Sequence, residues 1–202
     1  MKKMTMIWGW VPPQYEVRDE RFLLFYFVEK RIREVVIENY ETEEEFSETI
    51  EEWFCDVAEF NKEESKDVLR MLRENPNSLE FQKWILNARI EMFDSSKHVN
   101  SFTIGGIDTW LDKATRVGLK LRFDAEVRMG KQETILWQDG VSFTLPLVGD
   151  ITASDMLDSI EIYASACYDV TQMHLAAASK MKSVEELMAY DYTSGYPQKL
   201  SF

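Results

Sequence analysis

The chain has 202 residues, 45% of them hydrophobic and 13% aromatic, which is enough to build a dense core and excludes wholesale disorder. Its formal net charge of −13 repels phosphate backbones, so duplex binding through counterion release is disfavoured and nucleic acid is not an expected partner. Met4 to Trp10 is too short for a signal core, no apolar run is long enough to span a bilayer, and Cys55 and Cys167 have no ligand spacing; a reduced cytoplasmic setting is expected.

Residues 1–20 contain Trp8-Gly9-Trp10-Val11-Pro12-Pro13, which cannot be helical across the two prolines and reads as an extended entry arm. Phe22 to Val28 is a continuous apolar run, Glu29-Lys30 could turn the chain, and Ile32 to Tyr40 is rich in β-branched residues, a pattern that fits a β-hairpin. One helix over residues 19–39 competes, because no Gly or Asn marks the turn. Thr42 and Glu45 form a capping box, and Phe46, Ile50, Trp53, Phe54, Val57 and Phe60 follow at helical spacing, with Glu44, Glu48, Glu51, Glu52 and Glu59 on the outer face. A second helix carries Val68, Leu69 and Leu72 and ends at Asn75-Pro76-Asn77. A third, capped by Ser78, turns Phe81, Trp84, Ile85, Ala88 and Met92 inward. Residues 94–98 read as a linker, so the expected division is an N-terminal hairpin and three-helix region at 1–97 and an α+β domain at 98–202.

Beyond the linker, Ser101 to Ile104 predicts a strand and Gly105-Gly106 a turn. Asp108 then caps a helix running from Thr109 to Met129, closed by Gly130. Thr134 to Trp137 and Val141 to Leu147 flank Asp139-Gly140, a strong hairpin signal. Residues 152–181 place Met156, Ile160, Tyr163, Cys167, Val170, His174, Ala177 and Met181 on one face of a long helix, whose natural partners lie between Phe102 and Leu147. Ser183 caps a last short helix, and Tyr190, Tyr192, Tyr196 and Phe202 mark an aromatic tail. With strands in hairpins and helices in runs, the fold class is α+β.

No phosphate-binding loop, dinucleotide fingerprint, zinc-protease motif, nucleophile elbow or EF-hand loop is present. His98 and His174 stand far apart in the sequence, and His174 reads as a half-buried histidine with one hydrogen-bonded nitrogen. No catalytic, cofactor or metal residue is assigned, and a hydrolase built on a carboxylate pair has no nameable nucleophile. Trp110 and Trp137 read as core residues, and Asp112 and Arg116 as an i,i+4 pair.

The C-terminal half resembles an uncharacterised domain family of phage and prophage proteins, often encoded near tail or tail-fibre genes. The residues that carry the resemblance are Phe102-Thr103-Ile104-Gly105-Gly106, Asp112 and Arg116 about Thr115, Leu136-Trp137, Asp139-Gly140 and the long helix with His174. It implies a non-enzymatic tail-associated structural or assembly component that binds a tail or tail-fibre protein, with self-association as a further option. Such a protein resides in the bacterial cytoplasm or is carried into the virion. The termini, Trp8 and Trp10 with Tyr190, Tyr192, Tyr196 and Phe202, are the expected interaction surface. The rival expectation is an acidic inhibitor that mimics nucleic acid to a host DNA-binding enzyme through Glu44, Glu48 and Glu52.

Overall fold

The computed structural model describes residues 1–39, 44–138 and 140–202, and is an α+β protein. It divides into two compact units: residues 1–93 with 174–192, and residues 94–173 with 193–202.

The first unit is built on an antiparallel sheet of order β1-β4-β3-β2, from β1 (Lys2–Trp8), β2 (Tyr15–Arg18), β3 (Arg21–Asn39) and β4 (Glu44–Phe60). Two expectations are corrected here. β3 passes straight through Glu29-Lys30, which carries no residue suited to a hairpin turn, so neither the short hairpin nor the helix over 19–39 forms. The expected helix over 42–60 is β4 instead; Thr42 of its capping box lies outside the described residues. Near Phe60 the strand is buried on both faces, with Cys55, Val57 and Ala58 all inaccessible, so it shows no clean two-residue alternation. Its phenylalanines therefore mimic a helical stripe. The expected entry arm is also ordered: Lys2 to Trp8 pair with Glu59 to Trp53.

A turn at Asp19-Glu20, both at positive φ (47° and 61°), joins β2 to β3. A bulge at Tyr26 shifts the β3–β4 register between Phe25 and Phe27. The Phe25 carbonyl accepts from Arg89 Nε at 2.8 Å, and burial lowers the pKa of that guanidinium. One sheet face gathers Leu23, Phe25, Cys55 and Val57 with Met4, Met6 and Trp8. The other receives α2 (Leu79–Asp94), whose Phe81 and Trp84 rings meet Phe22 edge-on. Ser78 caps α2 by accepting from the Phe81 amide, and α1 (Lys66–Glu74) precedes it. Leu86 and Ile90 pack with Ala178, Leu187 and Tyr192.

In the second unit, β5 (Phe102–Ile104) and β6 (Ile107–Thr109) form a hairpin around Gly105-Gly106. Asp108 is therefore on a strand, and the helix starts later: Asp112 caps α3 (Lys113–Arg128) by accepting from the Thr115 amide at 2.7 Å. Gly130, at φ +79°, follows its C-terminal end as expected. β7 (Glu133–Gln138) and β8 (Val141–Pro146) pair as predicted, although Asp139 lies outside the described residues. Then comes α4 (Ala153–Lys180), with Thr152 and Asp155 capping each other reciprocally; from His174 onward it belongs to the first unit, as does α5 (Val184–Ala189), capped by Ser183. The expected stripe is the packed one. Met156, Leu157 and Ile160 join Leu136, Phe123, Phe102 and Leu147 in one buried cluster, with Phe143 and Leu145 of the hairpin against it. No helix among the described residues is long and apolar enough to cross a membrane.

Candidate functional site

The residues singled out in the sequence are divided between the two units. Arg116 is buried, with only 7% exposed. Its Nε and Nη2 reach the same oxygen of Glu161 at 2.8 and 2.7 Å, Nη1 donates to the Leu111 carbonyl, and the guanidinium lies over the Trp110 ring. The expected Asp112–Arg116 pair is thus replaced by a bridge from α3 to α4. Asp112 instead serves as the helix cap, and the Thr115 amide holds its carboxyl below the usual range. Trp110 packs against the core cluster, but Trp137 stands 66% exposed on the outer side of β7, a correction to its reading as core. Alternation puts Leu136 inward and leaves Trp137 outward. His174 is buried in the first unit, its Nδ1 hydrogen-bonded to the Tyr190 hydroxyl at 2.7 Å.

The tail is fastened along its length rather than presented as an arm. In the first unit Tyr190 holds His174, and Tyr192 meets Phe93 edge-on, its phenol pushed up to about 12 by burial. In the second, the Thr171 hydroxyl donates to Asp94 and lies 3.0 Å from the Tyr196 hydroxyl. Residues 200–202 run beside β5: Thr103 donates to the Leu200 carbonyl, and Phe202 donates to that of Thr103. The Phe202 ring rests edge-on against Phe102. At the other terminus Trp8 is half-buried against Phe25, and Trp10, touching Trp8, is 67% exposed.

Two hollows have charged side chains in their walls. One of about 600 Å³ is bordered by Met1, Lys2, Arg21, Glu59, Asn61, Lys62 and Glu63, and Arg21–Glu59 and Lys62–Glu20 already pair there. A second, of about 170 Å³, lies beside the Arg116–Glu161 bridge. Among the described residues no group of three or more His, Cys, Asp or Glu side chains is placed to hold a metal ion. Burial pushes the Cys55 thiol up to about 11, far from a reactive thiolate.

The feature that sequence reasoning missed is the outer part of β3 and β4. β1 pairs with β4 only over Trp53 to Glu59, and β2 with β3 only over Arg21 to Leu24. The outer edge of β3 is thus unpaired from Val28 onward, and past Lys30–Trp53 the two strands continue alone as a ribbon from Arg31–Glu52 out to Asn39–Glu44. At about 3.4 Å per residue, Val28 to Asn39 is about 40 Å of β3 with an edge that no other strand among the described residues covers. Val28, Ile32 and Val36 form an apolar row on one face, 40%, 67% and 59% exposed. The row continues the sheet face of Cys55 and Val57. Lys30–Glu51, Arg31–Glu29 and Arg33–Glu52 pair along the ribbon. The glutamates that suggested a nucleic-acid mimic thus share a strand-built surface with bases rather than an unopposed helix face; the side chain of Glu44 lies outside the description. No family model matches the chain, and neither a curated protein nor a solved structure does.

Proposed function

We propose that the chain is a protein-binding component, and that it serves phage or prophage tail assembly as the resemblance of its C-terminal half implies. The observation that supports binding is the open β3 edge of residues 28–39 and the ribbon it forms with residues 44–52. Backbone donors and acceptors on a strand edge recruit another strand, and folded proteins normally cover or blunt such edges. The β4 side carries Glu48 beside Glu51 and Glu52, which pair with Lys30 and Arg33, and the chain as a whole is strongly acidic, so a basic partner segment fits it. The working surface is then the ribbon, with the termini serving the fold.

A shortened ribbon tests this reading. Ile32 and Glu51 face each other, so an Asn-Gly turn can join them in place of residues 33–50. The affinity-tagged chain is co-expressed with the products of its neighbouring genes. The full chain is expected to retain a tail or tail-fibre product, and the shortened chain to lose it while keeping its unfolding midpoint. Equal capture by both, or capture lost only when Tyr190, Tyr192 and Tyr196 are altered, refutes the reading.

A further inference from the structure

We infer that the outer edge of β3 pairs with the same edge of a second copy, antiparallel and two-fold, centred on Ile32. This deepens the proposed function, resting on the ribbon as the binding element and naming one of its occupants.

The argument begins with the row of side chains on one ribbon face: Val28, Lys30, Ile32, Glu34 and Val36. The row is a chemical palindrome about Ile32. In an antiparallel pairing centred there, Val28 faces the partner's Val36, Lys30 the partner's Glu34, and Ile32 the partner's Ile32. Directly opposed residues of an antiparallel pair share a face about 4.5–5.5 Å apart, so each match is a side-chain contact. Shifting the register by two residues sets Lys30 against Ile32 in one direction and Val36 in the other, and breaks every match.

The monomer leaves these groups available except Lys30, whose Nζ pairs with Glu51 at 2.7 Å and in the dimer is shared between Glu51 and the partner's Glu34. Ile32 and Val36 are more than half exposed, and Glu34 is exposed with no ion-pair partner among the described residues. On the opposite face Arg31 approaches the partner's Arg33, but Glu29 and Glu52 already neutralise these guanidiniums. The available length also fits. β2 and the Gln14 carbonyl occupy the β3 edge up to Phe25, and the strand ends at Asn39, so Ile32 lies at the middle of the remaining edge.

A two-fold contact closes on itself and stops at the dimer. The new sheet has the order β4-β3-β3-β4, and its outer edges carry Glu48 beside the already paired Glu51 and Glu52, so a further copy would meet an acidic edge. Those acidic edges stay open for the basic partner. Because edge pairing buries a small interface, the dimer is a weak one.

Sedimentation velocity on the full chain across about 1 μM to 1 mM is expected to show a monomer–dimer equilibrium. Lys30→Glu and Glu34→Lys each place like charges at two symmetry-related contacts, and each is expected to weaken the dimer about tenfold. Mixing the two variants restores it, because each then meets its opposite, and the restoration also shows that both are folded. Under mild oxidation Ile32→Cys forms a cross-linked dimer and Glu34→Cys alone does not, whereas Lys30→Cys mixed with Glu34→Cys does. Cys55 and Cys167 are buried and contribute no background.

A wild-type chain that stays monomeric throughout, single charge variants that dimerise like the parent, or Ile32→Cys cross-linking no better than Glu34→Cys overturns the inference. If the chain is monomeric yet loses its partner when the ribbon is shortened, the dimer falls and the binding function stands. If it dimerises with this register but captures no partner, the reverse holds.

Discussion

Truncation of Arg116 separates the structural roles of two residues that sequence spacing places together. Arg116→Ala removes a guanidinium that is 7% exposed, its bonds to Glu161 and to the Leu111 carbonyl, and its stacking over Trp110. A charged donor on a buried carbonyl contributes about 1.5–3 kcal/mol. The stacking adds about 0.5–1. Glu161 is half exposed, so its pairing is screened and adds at most about 1 kcal/mol. Together these put the loss near about 3–4 kcal/mol, short of a simple sum because the three contacts share one group. Urea unfolding of the single and double variants measures this, with the shift in midpoint converted through a common slope. The Arg116–Glu161 cycle should show the larger coupling and the Asp112–Arg116 cycle only a weak one. Coupling larger for Asp112 than for Glu161 would refute this assignment of Arg116 to the α3–α4 bridge.

Two further outcomes follow from the cores. Ile160, inaccessible beneath the β7–β8 hairpin, and Ile162, 72% exposed two residues on, differ only in the face they occupy. Ile160→Ala should cost about 3 kcal/mol in urea unfolding and Ile162→Ala no more than about 0.5. Cys55 should resist alkylation at neutral pH in the folded chain and react on unfolding. Burial raises its pKa from an ordinary value near 9 to about 11 by disfavouring the thiolate. The stability this thiol contributes is therefore fully present below about pH 9 and is lost as pH rises through about 11, an alkaline weakening that Cys55→Ala should reduce in pH-dependent unfolding.

The second unit was the more legible in the sequence. The three-and-four spacing of Met156, Ile160, Tyr163 and Cys167 names the residues that α4 buries, because a helix has one period and a partially buried helix has one dry side. The caps at Ser78 and Ser183, in the first unit, were equally plain, since a hydroxyl before a helix leaves few other ways to satisfy its first amides. Asp108 and Asp112 are both suitable caps by type. What decides between them is that Ile107 to Thr109 pair with β5, a tertiary fact with no local mark.

The ribbon was hidden for a related reason. Val28, Ile32 and Val36 lie four apart, which suits a helix as well as a strand, and the phenylalanines of β4 repeat the ambiguity. Ile32, Val35 and Val36, β-branched and close together, were the available sign, and the charge palindrome becomes readable only once the two-residue period is assumed. Aromatic content drew attention to the termini instead. Those aromatics are anchors: Tyr190, Tyr196 and Phe202 each have a partner inside the fold.

Amide hydrogen exchange at rising protein concentration tests most directly whether the β3 edge is the working surface. The amides of residues 28–36 that point away from β4 should exchange freely in dilute solution and slow as the dimer fills, while those on the outer edge of β4 at residues 47–52 stay fast. Protection that ignores concentration, or that develops at residues 190–202 while the β3 edge remains open, would contradict the account.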